Sequence, residues 1–118
     1  MLGSIPQGAI AAVLATAMTC PTARASTAVY TFGGLLSGNL QGCLSNAKSA
    51  ATKAGFTENQ QEVLDTNQKA GDFHASKPGS PLAMSMRCDP TIGVYSIGIS
   101  GADSQVTFES LRAVVKSL

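Results

Sequence analysis

The chain has 118 residues, eight Lys/Arg against seven Asp/Glu, few aromatic residues and no Trp. That length holds one domain. The balanced charge gives no basic field for nucleic acid or anionic lipid, and the shortage of aromatic rings argues against broad stacking surfaces for bases or sugars.

The first 25 residues read differently from the rest. Ala9–Met18 (AIAAVLATAM) is an apolar stretch, followed by Pro21 and the small-x-small triplet Ala23-Arg24-Ala25. As a helix the stretch would rise about 15 Å, short of the ~20 residues that span a bilayer. The pattern predicts a cleavable signal peptide over 1–25 and no stable membrane insertion after cleavage. No Lys or Arg precedes the apolar stretch, which departs from the usual basic leader. A retained N-terminal helix and a lipidated Cys20 are the competing readings. Cleavage after Ala25 would remove Arg24 and Cys20 and leave seven basic residues, seven acidic residues and two cysteines, Cys43 and Cys88.

In 26–118 the first expected element is a strand over Ala28–Phe32, ended by Gly33-Gly34. Ser37 is the expected N-cap of a helix running to about Ala54. Its apolar face would carry Leu36, Leu40, Cys43, Ala47, Ala50, Ala51 and Ala54. Gly55 fits the residue after the cap, with Phe56 making the accompanying apolar contact. Residues 57–77 admit two readings. Thr57-x-x-Gln60 resembles a capping box, but apolar residues are so sparse that two irregular, solvent-facing strands turning near Asn67–Gly71 are the preferred one. Leu82–Cys88 alternates, with Leu82, Met84, Met86 and Cys88 on one face. Asp89-Pro90 makes a turn, and Ile92–Ile99 is expected to be a central strand apolar on both faces, broken by Ser100-Gly101. Asp103 or Ser104 would cap a last helix, with Phe108, Leu111, Val115 and Leu118 as its buried stripe and Val114 beside it.

The expected class is therefore α+β. An antiparallel sheet of about three to five strands carries two helices on one face, in the order β-α-(β-β)-β-β-α, related to the ferredoxin-like plan. Cys43 on the apolar face of a helix and Cys88 on the apolar face of a strand should meet in one core, so a Cys43–Cys88 disulfide is expected. An oxidising compartment would favour it. Two reduced thiols are the alternative, and the absence of C-x-x-C spacing disfavours a redox pair.

Few residues suggest chemistry. Asp72-x-His74, with Asp89 elsewhere, has metal-ligand types, but D-x-H is frequent by chance, and no metal or cofactor is expected. Arg87, beside Cys88 and Asp89 at a strand end, is a candidate contact for a partner or small anion, with a surface ion pair to Asp89 as the plainer reading. His74, Asp72, Arg87 and Asp89 are thus the candidate ligand or partner contacts. Gly98-Ile99-Ser100-Gly101-Ala102 resembles a nucleophile elbow, but Ala102 stands where Gly is expected and the single histidine precedes the serine. Met84 and Met86 read as core rather than as a copper site. Gly33-Gly34-x-x-x-Gly38 before a helix reads as a flexible connection rather than an anion cradle.

The layout resembles that of small exported bacterial domains of uncharacterised role. It has a signal peptide, a strand, a one-cysteine helix ending in Ala54-Gly55-Phe56, a strand ending in Arg87-Cys88, and an apolar strand ending at Ser100-Gly101 before a last helix. The resemblance implies a periplasmic or secreted α+β domain and carries over no active-site residue. The expected function is a non-enzymatic binding or interaction module, with an envelope protein as partner and an inhibitor or immunity type as one form of it. A small-molecule or metal carrier and a small hydrolase are the alternatives. An exposed edge strand within 57–75 could pair with a second copy, so a monomer or weak homodimer is expected.

Overall fold

The computed structural model describes residues 27–118; the signal peptide predicted over 1–25 and Cys20 lie outside the described residues. Seven elements follow one another: β1 (Ala28–Leu35), α1 (Leu40–Lys53), β2 (Glu58–Leu64), β3 (Gly71–Ser76), β4 (Ala83–Asp89), β5 (Val94–Gly101) and α2 (Ser104–Lys116). The five strands form one antiparallel sheet in the order β1-β5-β4-β3-β2. The class and element order are those expected, and 57–77 is a pair of strands, but only β2 faces solvent as expected: β3 lies inside the sheet and buries Phe73 and Ala75.

The strand order departs from the ferredoxin-like plan. No helix interrupts the chain between Gly55 and Gly101, and short turns join β2 to β3, β3 to β4 and β4 to β5. Short turns permit only antiparallel neighbours, so β2–β5 form a plain meander. β1 pairs with β5, which places β1 and β2 at opposite edges. Both helices cover one face of the sheet, α1 over β3 and β4 and α2 over β1 and β5.

The core lies between these layers. Phe73, Ala75, Met84, Met86, Cys88, Ile97 and Ile99 from the sheet meet Cys43, Leu44, Ala47, Ala50 and Ala51 of α1, Leu111 and Val114 of α2, and Phe56. Alanine along α1 leaves little bulk between helix and sheet, so the helix approaches closely and Cys43 reaches Cys88. The disulfide joins the two with their Cα atoms 6.1 Å apart, both cysteines buried. Met84 and Met86 are buried core residues.

Local signals hold to different degrees. α1 starts two residues later than expected: Asn39, not Ser37, is the N-cap, and its Oδ1 accepts from the Gly42 N–H. The C-terminus is as expected. Gly55 has φ +93°, its N–H donates to the Thr52 carbonyl, and the N–H of buried Phe56 donates to the Ala51 carbonyl. That pair of bonds is a Schellman motif, which needs the left-handed region. Gly55→Ala is expected to cost about 1 kcal/mol, read as a lowered urea midpoint with an unchanged m-value.

Gly33-Gly34 does not end β1, which runs to Leu35. The Tyr95 ring lies over Gly34, where a Cβ would stand 2.7 Å from its hydroxyl. Glycine here makes room for an aromatic ring and forms no loop for an anion. β5 likewise continues through Ser100 and Gly101. It is not apolar on both faces, since Ser96, Gly98 and Ser100 point away from the core, and Ile92 lies outside the strand and exposed.

α2 is capped by Asp103, which accepts from the Val106 N–H, but it is turned from its expected orientation. Thr107, Ser110, Leu111 and Val114 are buried, while Phe108 and Leu118 are 44% and 42% exposed.

Candidate functional site

With both helices on one side, the other face of the sheet is uncovered by any described element. Strand alternation and the pairing register set its composition. One row across the sheet is Val29, Ser100, Ala83 and Ser76, paired to Glu58 beyond the register shift in β2; the next is Thr31, Gly98, Ser85, His74 and Gln61; a third is Gly33, Ser96, Arg87, Asp72 and Val63. Serine, glycine, alanine and threonine dominate the middle. A Cβ on Gly98 would meet only Thr31 Cγ2, at 3.9 Å. The result is a flat surface with a shallow depression around His74, Ser85 and Gly98.

All four predicted contact residues stand at positions on this side of the sheet. Asp72 and His74 project from β3, and Arg87 from β4 directly opposite Asp72. Asp89, two residues beyond Arg87 at the end of β4, is engaged elsewhere. Its carboxylate accepts from the Thr91 N–H at 3.1 Å and from the Thr91 hydroxyl, which shapes the β4–β5 turn. The expected Arg87–Asp89 ion pair is therefore replaced. Arg87 donates from Nη1 and Nη2 to the two carboxylate oxygens of Asp65, at 2.9 and 2.6 Å, and from Nη1 to Asp72 at 3.2 Å. A fork against one carboxylate is the strong geometry for arginine. It ties the β2–β3 turn down onto β4 and leaves Arg87 satisfied rather than waiting for an anion.

Asp65 is the residue that sequence reasoning missed. It sits in a polar turn 22 positions from Arg87, where no periodic pattern marks it. The Arg87 guanidinium, chiefly through its hydrogen bonds, holds the Asp65 carboxyl below the ordinary carboxylate range, and Asp65 in turn raises Arg87 further. The sign follows from linkage. A depressed folded-state value gives stability that is full above the ordinary carboxylate range and is lost as pH falls through the folded value. The urea midpoint of Asp65→Asn is therefore expected to fall less than that of the parent between neutral pH and about pH 3. Both groups are partly exposed, so the difference should be small and should shrink with salt.

Among the described residues no three His, Cys, Asp or Glu side chains converge as a metal site would require. Asp72 is committed to Arg87, and Cys43 and Cys88 to each other. Ser100 shares the uncovered face with His74 but stands two strands away, about 9–10 Å by strand spacing alone, beyond hydrogen-bond reach. It lies in extended β5 rather than at a strand-to-helix elbow. No described helix is long and apolar enough to cross a membrane. Comparison with family models, with curated proteins and with solved structures finds no match to this chain.

Proposed function

We propose that the chain is an exported, non-enzymatic binding module of the bacterial envelope that takes a partner protein on its uncovered sheet face. The observation that carries this reading is the make-up of that face. The outer side of a two-layer domain is ordinarily filled by long charged side chains, yet β3, β4 and β5 place no lysine or glutamate there. Arg87 is their one long side chain on that side, and Asp65 and Asp72 hold it. Small side chains let a partner's surface approach closely and cost little side-chain entropy on binding. The buried disulfide supports export, because an oxidising compartment forms and keeps such bonds.

The test is a photo-crosslinking residue placed at Ser85 in the middle of the face, with a second at Lys48 on the exposed side of α1 as control. In the native host a discrete adduct is expected from Ser85 and none from Lys48, and Gly98→Arg beside it should abolish the adduct without lowering the melting temperature. Absence of any adduct from Ser85, or an adduct indifferent to Gly98→Arg, would contradict the assignment.

A further inference from the structure

We propose that β1 is a self-pairing edge, through which two copies join antiparallel into a continuous ten-stranded sheet with α2 packed against α2 across the two-fold axis. The two edges of the sheet differ in the features that keep strand edges from associating. β2 carries Glu58 and Glu62 and is interrupted by a register shift between Glu58 and Gln61, with Asn59 at φ +54°. Charge and a bulge are the usual protections of an edge. β1 has neither. Its sequence AVYTFGGL holds no charge and no proline, and it runs in unbroken register with β5 over all eight residues. Val29 and Phe32 are exposed, and Leu35 is 88% exposed. The edge suited to a second copy is therefore β1, at the opposite side of the sheet from the segment the sequence suggested.

α2 points the same way. The turn of this helix that buries Thr107 and Ser110 leaves Phe108 on the flank beside β1. There it packs edge-on against Tyr30, with ring centroids 5.3 Å apart, and lies 6.0 Å from the Arg112 guanidinium. Thr31, Phe32, Phe108, Arg112, Val115 and Lys116 line the resulting apolar groove. Large aromatic residues left at a flank while small polar ones are buried suit an interface more than a solvated face.

A second copy fits this groove in spacing. α2 rests on β1 and β5 alike, so its axis lies above the boundary between them. Strands are about 4.8 Å apart. A two-fold axis midway between paired β1 strands would then set the two α2 axes about 9.6 Å apart, inside the 8–10 Å of packed helices. The axis makes the helices antiparallel. Arg112 and Lys116 lie along the outer rim of the groove, where long side chains can bend to solvent while the apolar residues beneath them meet. The same apolar residues then meet across the axis, as an isologous interface requires.

Sedimentation of the oxidised protein decides the matter. It is expected to run as a dimer at concentrations on the order of 10–100 µM. Thr31→Lys, on the edge strand, should give a monomer, and Val63→Lys at the β2 edge should leave the dimer unchanged. Phe108→Ala should weaken association at least about tenfold while its circular dichroism spectrum stays that of the parent, a split that loss of fold would not give. A monomer throughout that range would overturn the proposal. So would a dimer that survives Thr31→Lys, or one dissolved by Val63→Lys. A monomer that instead binds an extended peptide along β1 would show the edge to serve a different partner and would equally overturn it.

Discussion

Reduction of the Cys43–Cys88 bond, or its replacement by the double variant Cys43→Ala/Cys88→Ala, is expected to cost about 4 kcal/mol. The bond closes a sequence separation of 45 residues, and the chain-entropy relation gives that value for a loop of this length. Per-residue scaling puts the total stability of a domain this size at about 5–14 kcal/mol, so the bond supplies a large share of it. Both sulfurs are buried between α1 and β4, and the double variant also loses their packing. The melting temperature should fall by roughly 20 °C or more, at about 4–8 °C per kcal/mol for a domain of this length. Calorimetry with and without reductant measures this. A fall of only a few degrees would show that helix and sheet hold together without the cross-link.

Phe73→Ala is expected to be comparably damaging, at about 3–5 kcal/mol. Phe73 is 1% exposed, in β3 between Met86 on the neighbouring strand and the alanine-rich face of α1. Those alanines cannot extend to fill the space a lost ring leaves, so most of the cavity should persist. Urea unfolding followed by circular dichroism gives the value. Phe108→Ala is the contrast: its ring is 44% exposed, and its effect on the stability of one copy should stay below about 1 kcal/mol. Comparable losses from the two substitutions would mean that α2 sits differently against the sheet.

Much of this fold can be read in the sequence where a single period dominates. Leu82, Met84, Met86 and Cys88 alternate without exception, and all four are buried. The 3–4 residue spacing of Cys43, Ala47, Ala50 and Ala51 marks the buried side of α1. Together these placed the disulfide. The pattern misleads where close approach outweighs bulk. Gly101 faces the first turn of α2, and a Cβ there would stand 2.5 Å from both Leu82 Cδ2 and Thr107 Oγ1. α2 therefore lies too near β5 for a phenyl ring. It buries Thr107, whose hydroxyl is satisfied by the Asp103 carbonyl, and Phe108 is turned to the flank. Gly34 misleads for the same reason, since glycine reads as a strand breaker until the Tyr95 ring is placed above it.

The candidate site was legible only in part. Asp72, His74 and Arg87 do share one sheet face, because alternation fixes the side of each once the strands are known. Their relations were not legible. Asp65 enters from a turn whose position depends on the β2–β3 register, and Asp89 is drawn off by Thr91 two residues away. The uncovered face is a property of the layering, since it exists only because α1 and α2 pack on the same side.

The proposed export would account for the disulfide and give access to an envelope partner, and intact mass of the protein recovered from fractions of its native host tests it most directly. A mass matching residues 26–118 in the envelope fraction, two daltons below the dithiol and inert to alkylation until reduced, is the expected result. A cytoplasmic protein retaining residues 1–25, with Cys43 and Cys88 open to alkylation, would contradict it.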